Sequence, residues 1–112
     1  MSYKIKSRIW IESNQNVFLG EGRIELLKAI QKTGSLSKAA KSLNLSYKKA
    51  WHLLDAVNKS AKKPVTVNAI GGANGGGTQL TDYGKSLIVV FEDINKSCWE
   101  FLDNQLKKIE EV

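Results

Sequence analysis

A short stretch covering residues 46–52, SYKKAWH, places two adjacent lysines among aromatic side chains. Lys48 and Lys49 carry the charge and the donors that bind phosphate oxygens or the edge of a guanine. Trp51 can contact a thymine methyl group or the edge of a sugar. There are ordinary alternatives, because surface lysines can be merely solvated and a tryptophan can pack against a neighbouring helix. We favour contact with nucleic acid for all three residues.

Other polar residues near this stretch suit the same chemistry, and the sequence leaves their alternatives open. Ser46 can bond a phosphate or cap a helix, and capping is the simpler interpretation. Tyr47 combines packing with contact, whereas His52 is either a groove contact or an idle surface residue. The predicted DNA-contacting residues are Ser35, Ser37, Lys38, Ser46, Tyr47, Lys48, Lys49, Trp51, His52, Gly72, Asn74 and Gly75.

Catalytic and metal chemistry find little support in the sequence. His52 is the single histidine and Cys98 the single cysteine, so no multi-cysteine metal site, internal disulfide or histidine-based triad is expected. The run GGANGGGT at 71–78 lacks the lysine that follows the glycines of a phosphate-binding loop, and strand-like residues flank it on both sides. The sequence therefore predicts no enzyme, no metal and no cofactor.

Two helices joined by a tight turn, over residues 36–63, are predicted to carry the candidate contacts. Ser37 is the predicted N-cap of a short first helix, Asn44 suits a left-handed turn position, and Ser46 caps the second helix. Such a pair is typical of a helix-turn-helix, whose second helix enters the major groove of DNA. The predicted buried stripe of the second helix is Ala50, Leu53, Leu54, Val57 and Ala61.

A β-hairpin and a helix are predicted before this motif. Apolar and polar residues alternate over residues 3–12, which is the period of a half-buried strand, and residues 17–19 form a short returning strand. A helix is expected from Glu21 to Thr33, with Gly34 as its C-cap. Its predicted packing residues are Ile24, Leu26, Leu27 and Ile30.

A second hairpin is predicted after the motif, over residues 65–80. Pro64 ends the preceding helix, and residues 65–70 are expected to form a strand. Five of the seven residues at 71–77 are glycine, so this run is predicted to be a flexible tip and not a continuing strand. A return strand over 78–80 completes an uncharged hairpin, placed where a winged helix has its wing.

A long helix is predicted over residues 81–110. Thr81 is its expected N-cap, and Asp82 suits the positive end of the helix dipole. A helix of this length and apolar character outlasts the core of a small domain, so it needs a partner, and a second copy of the chain is the simplest one. The alternative is a helix folded back over its own domain. The predicted dimerisation residues are Leu87, Phe91, Ile94, Cys98, Leu102 and Leu106.

The positive charge of the chain is concentrated on the predicted helix-turn-helix. Residues 37–63 hold seven lysines and one acid, and their net charge of +6 equals that of the whole chain. Residues 81–112 carry four lysines and seven acids. This segregation indicates a polyanionic partner, although a solvated lysine-rich surface is the plain alternative. The N-terminus has no apolar leader pattern and no run is long enough to span a bilayer, so we expect a cytoplasmic protein without membrane contact.

The motifs resemble one known family. TGSLSKAAKSLNLSYKKAWHLLDAVN, the glycine-rich wing and LTDYG together resemble the N-terminal winged-helix domain of molybdate-responsive ModE-type regulators, and more distantly LysR-type regulators. The resemblance implies a dimeric transcription regulator on a two-fold operator, with residues 46–49, 51 and 52 at the reading end. That family's wing usually carries a lysine where this chain has Ala73 and Asn74. Its molybdate-binding domains follow this helix, and the chain ends at Val112, so molybdate is not expected as a ligand and any effector is left open.

These observations predict one α+β domain over residues 1–112: a winged helix-turn-helix with an N-terminal β-hairpin and a long C-terminal dimerisation helix. The predicted function is sequence-specific binding of double-stranded DNA by a homodimer that regulates transcription. The alternative is a winged-helix module that binds another protein without specific DNA binding.

Overall fold

Helices and two separate antiparallel hairpins make up the chain, which confirms the predicted α+β winged-helix architecture. The computed structural model describes residues 2–72 and 75–112. Among them, no helix combines the length and the apolar character that a membrane span requires. The elements are β1 (Trp10–Ser13), β2 (Asn16–Gly20), α1 (Glu21–Thr33), α2 (Leu36–Ser42), α3 (Tyr47–Ser60), β3 (Thr66–Gly72), β4 (Gly75–Leu80), α4 (Asp82–Gln105) and α5 (Lys107–Glu110).

The N-terminal hairpin is shorter than the alternating sequence predicts. Its first strand begins at Trp10 and not at residue 3, because Trp10 pairs with Gly20, the last residue of β2, and α1 starts directly afterwards. The residues before Trp10 therefore have no strand to pair with. Their alternation still governs burial, since Ile5, Ser7 and Ile9 are half-buried while the residues between them are exposed.

Helix α1 has the predicted bounds and forms the centre of the core. Gly34 ends it in the left-handed conformation, with φ 69°, and donates its N–H to Ile30 O at 2.7 Å. A residue with a Cβ would be strained at this φ, which explains the glycine. The four predicted packing residues of α1 are all buried: Ile24, Leu26, Leu27 and Ile30.

The helix-turn-helix is present, but its first helix starts two residues earlier than predicted. The N-cap is Ser35 and not Ser37: Ser35 is extended, and its Oγ accepts a hydrogen bond from Lys38 N at 3.1 Å. Leu36 is then the first helical residue and is 7% exposed, so the start of α2 is fixed by burial as well as by the cap. Asn44 has the predicted left-handed conformation, with φ 57°.

Helix α3 follows the prediction closely. Ser46 is its N-cap, and Ser46 Oγ accepts from Lys49 N at 3.0 Å. The helix ends at Ser60, before Pro64. Its predicted stripe faces the core: three members are buried and two are half-buried against them, namely Ala50, Leu54 and Val57, then Leu53 and Ala61.

The wing strands extend further into the glycine run than predicted. The tip was expected to begin at Gly71, yet β3 continues to Gly72 and β4 starts at Gly75. Gly72 pairs with Gly75 and Ala69 with Gly77, because glycine can adopt extended backbone and the ladder uses backbone groups alone. The root of this hairpin is fixed against α1, since Thr78 N donates to Gly34 O at 3.0 Å.

The C-terminal helix is interrupted, whereas a single helix over 81–110 was predicted. Thr81 caps α4 as expected, its Oγ1 accepting from Gly84 N at 3.0 Å. The helix ends at Gln105, and Leu106 N bonds back to Asp103 O, a tighter turn that separates α4 from α5. α4 crosses α1, where Lys28 Nζ donates to Glu92 Oε2 at 2.9 Å. That hydrogen bond, and then the charge of Glu92, raise the pKa of Lys28 above its ordinary value.

Three of the six residues predicted for the dimer surface contact the chain itself. Phe91 is 4% exposed within the core, so its side chain is not available to a partner, and the half-buried Leu87 packs against that core. Cys98 is half-buried, with its Sγ 3.8 Å from Ser7 Oγ of the N-terminal segment. Leu102 and Leu106 are half-buried, whereas Ile94 is 44% exposed. The sequence prediction merged two faces of α4 because both are apolar at helical spacing.

Candidate nucleic-acid interface

The first turns of α3 carry the predicted contacts on an exposed face. Lys48, Lys49 and His52 are exposed, Tyr47 is 57% exposed and Trp51 is 46% exposed. The Trp51 and His52 rings meet edge to face, with centroids 5.3 Å apart. The cap at Ser46 sets where the helix begins, and the buried stripe sets which side faces outward. The arrangement therefore offers two ammonium groups and two aromatic rings to a ligand at the N-terminal end of the helix.

Electrostatics favour an anion at this face. Within residues 2–72 and 75–112, no carboxylate lies within 4.0 Å of the ammonium group of Lys38, Lys48 or Lys49. The single acid of the basic segment, Asp55, is paired with Lys59 at 2.8 Å, one helical turn away. The lysines nearest the start of α3 therefore keep their charge available to solvent or to a ligand.

The starts of α2 and α3 converge on the wing. A surface cavity of about 300 Å³ is lined by residues from all three elements. Three residues predicted to contact DNA line this cavity together with two residues of the wing: Ser35, Ser37 and Tyr47, then Asn68 and Thr78. Ser35 is occupied as the cap of α2, whereas Ser37 is exposed in its first turn. Lys38 is exposed in the same turn.

A second cavity, of about 230 Å³, separates α3 from β3. Trp51 lines it from the helix, and Thr66 and Asn68 line it from the strand. Neither of these two wing residues was predicted from the sequence, and nor was Asn58, which also lines the cavity. The period of a strand could have found the first two, because alternate residues share a face and Thr66 and Asn68 are alternate polar residues beside an apolar Val67.

The glycine contacts predicted for the wing are only partly described. Gly72 and Gly75 lie opposite each other at the distal ends of β3 and β4. Asn74 lies outside the described residues, as does Ala73. In the part of the chain that the structure describes, no group of three or more His, Cys, Asp or Glu side chains could hold a metal ion.

A short helix, a turn, an outward-facing second helix and a β-hairpin beside it define a winged helix-turn-helix domain. Within that class the chain belongs to the ModE-type domains. It is 38% identical over 106 residues to the molybdenum transport protein ModE of Azotobacter vinelandii, which covers 95% of this chain. It is 40% identical over 87 residues, 78% of the chain, to the transcriptional regulator ModE of Haemophilus influenzae.

A third relative is the DNA-binding transcriptional dual regulator ModE of Escherichia coli K12, 38% identical over 82 residues and 73% of the chain. The matched regions span only 39%, 34% and 31% of the lengths of these three relatives. No protein-family model matches the chain. The names of these relatives describe two transcriptional regulators and a molybdenum transport protein.

Proposed function

We propose that this chain binds double-stranded DNA sequence-specifically and thereby regulates transcription in the cytoplasm. The observation that carries the proposal is the exposed pair Lys48 and Lys49 at the start of α3, without a carboxylate partner among the described residues and flanked by the wing. In this arrangement α3 enters the major groove, the lysines bind phosphates or a guanine edge, and Trp51 contacts a methyl group or a sugar.

We further propose that the regulator is a homodimer held by the outer face of α4. Three apolar side chains are exposed along this face: Val90 at 54%, Ile94 at 44% and Phe101 at 62%. Ser97 lies between them, so positions 90, 94, 97 and 101 follow the four-three spacing of a helix seam and none is charged. A second copy is the partner whose complementary surface the chain itself supplies, and a two-fold dimer matches a two-fold DNA site.

The test is selection of duplexes from a random pool, followed by titration of the recovered site at increasing salt concentration. We expect an enriched sequence with two-fold symmetry, and an affinity that falls steeply with salt because counterions are released from each neutralised phosphate. An unenriched pool, or an affinity that salt does not change, would contradict the proposal and favour the protein-binding alternative.

A further inference from the structure

Asn58 joins the recognition helix to the wing through both ends of its amide. Asn58 Oδ1 accepts a hydrogen bond from Val65 N at 2.8 Å, and Asn58 Nδ2 donates to Thr66 Oγ1 at 3.1 Å. Asn58 is half-buried on the last turn of α3, and Val65 is fully buried just before β3. A planar amide that bonds to the first residue of β3 and to the residue before it restrains the direction in which the strand starts as well as its distance from α3.

The other contacts of the wing root hold it to different elements. Thr81 Oγ1 donates to Pro64 O at 2.7 Å, and Thr81 N donates to Val65 O at 2.9 Å, which ties the root to α4. Thr78 N donates to Gly34 O at 3.0 Å, which ties the return strand to the end of α1. Among the described residues, Asn58 is the side chain of α3 that hydrogen-bonds to the wing.

We propose that Asn58 is a positioning residue for DNA recognition: its amide sets the angle between α3 and the wing, so that both reach the same duplex. This inference rests on the proposed DNA binding and assigns different kinds of contact to α3 and to the wing. Lys48 and Lys49 supply the charge-dependent contacts. Because residues 65–80 carry no charged side chain, the wing adds contacts through neutral groups, which release no counterions.

The two contributions therefore differ in how they respond to salt. Loss of a lysine–phosphate contact makes the negative slope of log affinity against log salt less steep by about 0.9. Loss of the wing angle lowers the affinity and leaves that slope unchanged. The salt slope therefore distinguishes loss of the wing angle from loss of a lysine contact. A residue that served only to stabilise the domain would also leave the slope unchanged, because partial unfolding lowers the binding-competent fraction by the same factor for every contact. A readout that resolves positions along the DNA distinguishes that role from positioning.

The experiment compares Asn58→Leu, Thr66→Val and Thr66→Ser on the selected duplex. Asn58→Leu is close in size and removes both hydrogen bonds, while Thr66→Val removes one and keeps the bond to Val65. A net hydrogen bond is worth about two- to tenfold in an equilibrium constant, so we expect about a tenfold loss of affinity for Asn58→Leu and about a threefold loss for Thr66→Val. Thr66→Ser retains the hydroxyl and is expected to bind as the unmodified chain does.

Hydroxyl-radical footprinting supplies the positional readout. In Asn58→Leu and Thr66→Val, we expect protection to be lost at the flanks of the site, where the wing lies, and retained in the segment read by α3. Equal loss across the whole footprint, a changed salt slope, or flanks that remain protected in Asn58→Leu would each overturn the inference. If the unmodified chain enriches no sequence, the proposed function itself is wrong.

A distance measurement without DNA distinguishes a failure of this inference from a failure of the proposed DNA binding. Spin labels at the exposed positions Lys59 and Gln79, in a Cys98→Ser background diluted with unlabelled protein, report the distance between α3 and β4. We expect a broader distance distribution for Asn58→Leu and an unchanged one for Thr66→Ser. An unchanged distribution in Asn58→Leu would show that the amide does not set the angle, whether or not the chain binds DNA.

Discussion

Lys48 and Lys49 give the DNA-binding proposal its sharpest test at the scale of single residues. Each is exposed in the first turn of α3, so replacing either with alanine removes charge without opening a cavity. If each contacts one phosphate, the slope of log affinity against log salt concentration becomes less steep by about 0.9 in each single variant. The measurement is a gel-shift titration at several salt concentrations.

The matched control is Lys107→Ala, an exposed lysine on α5 at the far end of the domain from the motif. It changes the net charge by the same amount and is expected to leave the slope unaltered. Unchanged slopes for both Lys48→Ala and Lys49→Ala would remove the start of α3 from the interface.

Gly84 shows how one residue holds α4 against the wing root. A Cβ at this position would lie 2.3 Å from Val65 O, a backbone atom that cannot move without shifting β3. Gly84→Ala is therefore expected to destabilise the domain by about 1–3 kcal/mol, the usual cost of overpacking. Thermal or urea unfolding followed by circular dichroism measures the change.

Gly22→Ala is the control for that substitution, since a Cβ there meets no atom within 4 Å. Gly22 lies in the first turn of α1, where alanine lowers the entropy of the unfolded chain, so a gain of about 0.4–1 kcal/mol is expected. If the two variants were equally stable, the close packing at Gly84 would be refuted.

At the scale of elements, the start of α2 can be tested with two neighbouring serines. Ser35 Oγ accepts the hydrogen bond from Lys38 N, whereas Ser37 lies exposed within the first turn. Ser35→Ala is expected to lower the free energy of unfolding by about 1 kcal/mol through loss of the cap, and Ser37→Ala to change it little. If urea unfolding showed equal losses of stability for the two variants, Ser35 would not be the sole cap of α2.

The sequence predicted elements well where a local cause decides them. The bounds of α1 follow from its apolar stripe and Gly34, and the turn follows from Asn44. It failed where the deciding contact is distant. Ser35 and Ser37 are the same residue type, and the burial of Leu36 selects between them. The alternation at residues 3–9 is real, but a strand also needs a partner of matching length, and β2 is too short.

In the candidate site, too, the features that were predicted from the sequence are those with a local cause. The outward side chains of α3 follow from its period, whereas the role of Asn58 depends on residues seven and eight positions later folding back onto it. A single apolar pattern on α4 also could not show that Phe91 faces the core and Ile94 faces outward. Periodicity identifies apolar positions, and only the packed fold divides them between the chain's own core and a partner.

At the scale of the whole molecule, the charge of the chain differs between the segments that carry the two proposed functions. The domain measures 63 × 29 × 22 Å, and α4 forms much of its length. The basic helix-turn-helix carries a net +6, whereas residues 81–112 have more acids than lysines. If α4 joins two copies as proposed, the contact is made by a segment with excess acids, and the basic segments of the two copies need not be brought together.

A charge placed on the outer face of α4 tests whether that face holds two copies together. Phe101 is 62% exposed on the outer face of α4, so Phe101→Lys leaves the core intact and places a charge in the seam of each copy. A lysine ammonium group buried in an apolar seam opposes association whichever way the two helices run, and we expect light scattering to report monomers where the unmodified chain forms dimers.

The control is Ile109→Lys on α5, which is 54% exposed but lies beyond the end of α4 and outside positions 90–101. It should remain dimeric.

On DNA, Phe101→Lys should keep the affinity of the unmodified domain for one half-site and lose the additional affinity for the two-fold site, because each reading face is complete within one chain. A Phe101→Lys variant that remained dimeric would exclude this face as the seam, and a loss of half-site binding would mean that the reading face itself depends on the partner.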